Sequence, residues 1–232
     1  MDFSNFFNTD MLTSAAMIAI PALICITIHE LAHGYAAYWL GDNTAKEMGR
    51  LTLNPVKHID IVGLAMILLV GFGWAKPVPV NMHNFKYPKW YMAVTAFAGP
   101  LSNVLLAIII IFIFMLLPPP FGGINTLFSI YLSTEPNLVA MIIFRMALLS
   151  IALALFNLLP IPPLDGSKVL LSLLPQKAYY KVMHYERFGM IALILLMFAG
   201  RFLGINIFGR IITEPAVSFL HNISMIVSSV LG

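Results

Sequence analysis

Residues 11–40 read MLTSAAMIAIPALICITIHELAHGYAAYWL, thirty positions with no Lys, Arg or Asp and a single acid, Glu30. A helix rises about 1.5 Å per residue, and about 20 apolar residues cross the hydrocarbon of a bilayer. The stretch is long enough to span. The residues before it, Met1 to Asp10, carry Asp2 and Asp10 but no Lys or Arg. A secretory signal needs a basic leader ahead of its apolar run, so this run is expected to stay in place as a membrane helix.

The rest of the chain repeats the message. Of 232 residues, 60% are hydrophobic and 10% charged, with a mean hydropathy of +0.90. Soluble domains carry about 45–50% apolar and about 25% charged residues, so a water-soluble globular domain is excluded. Further apolar runs fall at 61–74, 92–117, 138–159 continuing toward 174, 188–205 and 216–231. The sequence predicts an all-α polytopic membrane protein of about five to six transmembrane helices. It reads as one integral membrane unit over 1–232, with a core at about 11–175 and C-terminal helices at about 188–231. The lipid bilayer is its medium. Thirteen basic against ten acidic residues give a net charge of +3, too scattered for a nucleic-acid face. Cys25, the single cysteine, excludes a disulfide framework and a multi-cysteine zinc site. Nothing in the sequence sets an oligomeric state.

The run at 61–74 is 14 residues long, the length of a re-entrant or interfacial segment rather than a span. Both of its flanks are basic, with Lys46, Arg50 and Lys57 before it and Lys76, Lys86 and Lys89 after. Residues 118–137 have no basic residue, while Lys177, Lys181 and Arg187 lie in 175–187. Basic loops stay cytoplasmic. The expected order is an external N-terminus, a first helix running inward, a re-entrant element, a helix at 92–117 running outward and a segment at 138–174 running inward. Residues 49–55 and 76–81 read as extended, the second because prolines at 77 and 79 break helices. Such backbone at membrane depth belongs where protein covers it or where it lines a wet cavity.

The chemistry lies in His29-Glu30-Leu31-Ala32-His33. Positions i and i+4 share a helix face, so both imidazoles can point at one metal ion, with Glu30 about 100° round from His29. Zinc lowers the pKa of a bound water to about 7, and an adjacent carboxylate can take its proton and deliver it to a leaving amine. With six His and five Glu in the chain, this pattern arises by chance about 0.003 times. Ionisable groups inside an apolar helix also point to function by default.

Catalytic zinc takes three protein ligands. The acid found inside a later apolar run is Asp165, in Asn157-Leu158-Leu159-Pro160-Ile161-Pro162-Pro163-Leu164-Asp165-Gly166. Three prolines must unravel the helix there. A buried carboxylate beside a broken helix needs a cation; the bland alternative is that Asp165 caps the next helical piece. From Met11 to His29 is 18 residues, or about 27 Å of helix, so the histidines sit near the cytoplasmic end. Asp165 is likewise late in an inward-running segment.

These two motifs resemble the signatures of the site-2 proteases, zinc metalloproteases that cleave within the membrane. The likeness extends to Gly99-Pro100-Leu101-Ser102-Asn103 and covers about residues 20–175. It implies an intramembrane metalloendopeptidase with one Zn2+ per chain, bound by His29, His33 and Asp165, and with Glu30 as general base. It also implies that Asn157 holds the substrate backbone or the developing oxyanion, and that the substrates are transmembrane proteins. Members often add a PDZ or CBS domain, for which this chain has no room. Small size and the lack of targeting signals suggest a prokaryotic plasma membrane, with the site toward the cytoplasm.

Two other functions use the same ligands. A divalent-metal transporter explains them but leaves Glu30 idle, and transporters commonly carry internal repeats. A non-catalytic protein stapled by structural zinc would normally close the site with four ligands. Among lesser features, Asn157 either donates to a substrate carbonyl or bridges two helices. The extended segments either receive an unwound substrate as an added strand or merely connect helices. Cys25, one turn before His29, is read as a packed thiol, and His58, His83, His184 and His221 as solvated or interfacial. Arg145 pairs with Glu135 or snorkels outward.

Overall fold

The structure is a computed structural model. It describes residues 9–63, 75–123, 137–186 and 209–231, with positions 126, 130, 188–189, 191–193 and 195 between them. Helix α1 (Thr9–Trp39) is followed by the short α2 (Thr44–Glu47) and, after irregular chain with 3-10 turns at Pro55–His58 and Met82–Asn84, by α3 (Pro88–Leu116). Then come α4 (Leu138–Asn157), α5 (Asp165–Leu171), α6 (Gln176–His184) and, beyond a π-helical turn at Gly209–Thr213, α7 (Glu214–Leu231). No strand occurs among the described residues, and the chain is an all-α polytopic membrane protein.

Among the described residues, four helices are long and apolar enough to cross a bilayer: Met17–Trp39, Pro88–Leu116, Leu138–Asn157 and Gly209–Val230. The expected re-entrant run at 61–74 is described only at 61–63, which is helical; 64–74 lie outside the described residues. Most of the run at 188–205 and the proposed Arg145 partner Glu135 lie outside them too.

Helix α3 is the centre of the bundle, packed on α1, α4, α5 and α7. It starts with proline at its first position, where a missing N–H costs nothing, and ends just before Pro118, Pro119 and Pro120. Ala93, Ala96, Gly99, Pro100, Asn103 and Ala107 make its buried face small, which lets backbones approach closely. Further along, Ile110, Ile111 and Phe114 meet Ala140, Phe144, Ala147 and Ile151 of α4 and Ala216 and Leu220 of α7. On the opposite side Val94, Phe97, Leu101, Leu105, Phe112 and Leu116 are exposed at helical spacing. In water that stripe would be a large apolar patch; against lipid it is the natural outer surface.

The contacts fix directions. His33 of α1 meets Thr95 and His29 meets Asn103, so α1 and α3 are antiparallel. The end of α1, the start of α3 and, through its links to α3, the end of α4 therefore gather at one end of the bundle. Asn54 and Asn81 have extended backbone (φ −69°, ψ 108° and φ −106°, ψ 102°) in the two segments expected to be extended.

Candidate metal centre

At that end α1 presents both imidazoles on one face, as the i, i+4 spacing requires. The chain after α4 supplies the third group. Three prolines stop α4 from continuing past Asn157, and the turn doubles back so that Asp165 opens α5. Gly166 permits the turn: a Cβ there would overlap the carbonyl group of Leu158 and lie 2.7 Å from the Leu159 oxygen. The Asp165 side chain caps nothing. It points at the histidines.

His29 Nε2 lies 3.2 Å and His33 Nε2 3.1 Å from Asp165 Oδ2, and the two nitrogens are 3.0 Å apart. Among the described residues this is the one group of three or more His, Cys, Asp or Glu that could hold a metal ion. The histidines are buried, and the Asp165 side chain is 12% exposed.

The surrounding hydrogen bonds set the donor chemistry. Thr95 O can only accept, so His33 Nδ1, 2.7 Å away, carries the proton and Nε2 keeps its lone pair. Asn103, fully buried, puts its amide 3.3 Å from His29 Nδ1, while its Oδ1 is buried without a partner. A half-turn of the terminal amide exchanges its oxygen and nitrogen, acceptor for donor. Turning the amide over gives Oδ1 the His29 Nδ1 proton, ends the orphaning and leaves His29 Nε2 bare. Two bare nitrogens and a carboxylate oxygen then face one another. A metal cation suits such a convergence, and zinc bonds of about 2.0–2.1 Å at tetrahedral angles put ligand atoms about 3.3 Å apart, close to the spacing here. The residues fit zinc.

Gly99 completes the wall. A Cβ at this position would run into the His33 ring and lie 2.7 Å from His29 Cε1, so α3 can reach the imidazoles only through glycine. Thr95, Gly99 and Asn103 follow one another every fourth residue along one face of α3. Gly99 and Asn103 belong to the Gly99–Asn103 motif without a role evident in the sequence, and Thr95 lies outside that motif. Polar and small residues at i, i+4 and i+8 in an apolar helix were the available signal. Ser150 of α4 ties this face down, its Oγ donating to Asn103 O at 2.8 Å.

The other expectations divide. Glu30 is half-buried beside the cluster, its Oε2 accepting from Val78 N–H at 2.7 Å. Asn157 donates its amide back to Leu153 O at 2.9 Å and has no hydrogen bond to the cluster among the described residues. Cys25 is fully buried with its thiol toward Met146 O at 3.5 Å, a packed thiol on the α4 side. His83, His184 and His221 are exposed. His58, expected to be solvated or interfacial, is instead 2% exposed, with Nε2 2.9 Å from Thr52 O. The turn at Pro55–His58 folds it under the loop, which hydropathy alone does not reveal. Arg145 is exposed.

Comparison with known proteins agrees with this chemistry. The family model described as peptidase family M50 matches residues 17–199. YwhC of Bacillus subtilis (strain 168), which carries the name of a zinc metalloprotease, is 40% identical over 188 residues, covering 77% of this chain and 78% of that one. Rip2 of Mycobacterium tuberculosis (strain H37Rv), named likewise, is 26% identical over 187 residues, 79% of this chain and 67% of its own. No solved structure matches. These likenesses favour neither the transporter nor the zinc staple. The chain belongs to peptidase family M50, the site-2 protease family, and is a zinc metalloprotease of the membrane.

Proposed function

We propose that His29, His33 and Asp165 hold the zinc, that Glu30 is the general base and that the substrates are transmembrane proteins cut at the cytoplasmic end of their spans. The observation that carries this is the triangle of His29 Nε2, His33 Nε2 and Asp165 Oδ2, with sides of 3.0 to 3.2 Å. Zinc bound there supplies Lewis-acid polarisation of a carbonyl and a water acidified to a pKa of about 7.

The chain's own residues do the rest. Thr95 and Asn103 keep both rings turned with Nε2 inward. Glu30 takes a proton from the attacking water and returns it to the amide nitrogen as the C–N bond breaks. Asn157, at the end of α4, is the group for the substrate backbone; to reach it, the amide gives up its bond to Leu153. Segment 76–81 is read as a connection between helices: of its non-proline residues, Lys76, Val78 and Asn81 already donate their N–H groups within the protein, and Lys76 O and Pro77 O accept from Arg50.

The cytoplasmic assignment follows from charge. The end bearing the site carries Lys46, Arg50, Lys57, Lys76, Lys86 and Lys89, whereas 118–137 beyond the other end of α3 has no Lys or Arg. A prokaryotic plasma membrane and a core at about 11–175 within one integral membrane unit complete the reading. The test is Glu30→Gln, purified and given a single-span reporter protein in vesicles. Bound zinc should be unchanged and cleavage abolished; cleavage at the parent rate overturns the reading.

A further inference from the structure

Glu30 is not free to turn in its site. Its carboxylate accepts from the main chain of Val78, 48 positions away, and Val78 is buried. A donor that is backbone does not move with a rotamer. The aim of the Glu30 carboxylate is therefore decided by where residues 76–81 lie.

That segment is stiff before it touches anything. Pro77 and Pro79 fix their own φ and confine the residues preceding them, Lys76 and Val78, to extended backbone. The protein then grips it from both sides of Val78. On one side Lys76 N–H donates to His58 O at 3.0 Å, and the Arg50 guanidinium donates to Lys76 O at 2.8 Å and Pro77 O at 3.2 Å. On the other side Asn81 N–H donates to the Asp42 carboxylate at 2.7 Å.

Arg50 is itself 6% exposed and meets no carboxylate among the described residues. A buried cation without an acid is costly, and here its partners are the two carbonyls just ahead of Val78. Its position follows from the end of α2, where Gly49 takes φ +63° and Arg50 N–H bonds to Ala45 O at 2.9 Å, a glycine-terminated helix end. On α1, one turn beyond Glu30, Gly34 leaves room for the segment; a Cβ there would lie 3.2 Å from Val78 Cγ1.

We propose that Arg50 and segment 76–81 form a clamp that aims the general base, Arg50 holding the carbonyls of Lys76 and Pro77 so that Val78 N–H fixes the Glu30 carboxylate. The inference rests on the reading of Glu30 as base. Arg50 and Val78 are positioning residues that act through Glu30.

The test compares Val78→Pro, which deletes the N–H but keeps extended backbone, with Arg50→Ala and Arg50→Lys. Each full-length variant is assayed for zinc per chain and for kcat and KM on a single-span reporter. Misplacing a catalytic group costs up to about 100-fold in rate. Val78→Pro and Arg50→Ala should lower kcat about 10- to 100-fold, with KM and zinc within about twofold of the parent. Arg50→Lys should regain part of the loss. The clamp is overturned if kcat is kept, if the loss falls on KM or zinc, or if Lys and Ala at position 50 are equally impaired. Should Val78→Pro not fold, the Arg50 pair decides by the same criteria. Glu30→Gln measured alongside separates the two ideas. Parent-level cleavage by it removes the base itself, whereas an inactive Glu30→Gln beside fully active clamp variants removes the clamp alone.

Discussion

The Asn103 side-chain amide and His29 Nδ1 stand 3.3 Å apart across the interface of α3 and α1, on the side of the imidazole away from Asp165. The contact sets which His29 nitrogen is left for a metal. Outer partners of this kind are worth about 10- to 100-fold in metal affinity. Asn103→Ala should weaken zinc binding by that factor in a chelator competition titration, while Asn103→Asp, which keeps an acceptor, should lose less. Unaltered zinc affinity in Asn103→Ala would contradict the assignment.

Gly99→Ala tests the wall of the site. The added methyl has no space beside the His33 and His29 rings, and overpacking of a tight interior costs about 1–3 kcal/mol. We expect reduced zinc content and a lower Tm in detergent. Gly166→Ala should behave alike for a different reason, because its methyl meets the Leu158 carbonyl and displaces the turn that delivers Asp165. Wild-type zinc content in both variants would mean that the backbone yields at these points.

Removing the metal should cost more than activity. With zinc absent, two bare nitrogens and a carboxylate oxygen remain within 3.2 Å of one another. Ligand binding to the folded state raises stability by RT ln(1 + [L]/Kd). Chelation should therefore lower Tm and abolish cleavage together, and added zinc should restore both. His33→Ala should start at the lower Tm and show no further fall on chelation.

Acid should loosen the loop hub at Asp42. Burial raises the pKa of this carboxyl, but hydrogen bonds from Thr44, the Asn81 amide and Asn84 outweigh it and hold the group below its ordinary value. A depressed folded-state pKa gives stability that is fully present above the unfolded value of about 3.9 and is lost as pH falls through the folded one. Asp42→Ala leaves those donors unmet at any pH, a cost of about 1–3 kcal/mol. Thermal melts between neutral pH and pH 3 should show the parent converging on the variant as the pH drops. A constant gap across that range would rule out the carboxylate as the source.

Local periodicity is what the sequence expressed directly. The largely apolar thirty-residue run from Met11 and the four-residue spacing of His29 and His33 are properties of one helix, and a helix repeats every 3.6 residues whatever surrounds it. The membrane class, the paired imidazoles and the broken helix before Asp165 were all legible for that reason. Asp165 itself follows from pairing a buried acid with a cation that needs a third ligand, and from its depth late in an inward-running segment.

Tertiary structure decided what lies across helix interfaces. Thr95, Gly99 and Asn103 gain meaning only when α3 runs antiparallel to α1, bringing Thr95 to His33 and Asn103 to His29. The burial of His58 and the grip of Arg50 and Val78 on the chain beside Glu30 depend on irregular backbone, which has no period to read. Spacing along a chain specifies neighbours a few residues apart. Contacts between residues 48 to 136 positions apart are set by how apolar and small faces pack, and that is a property of the folded bundle.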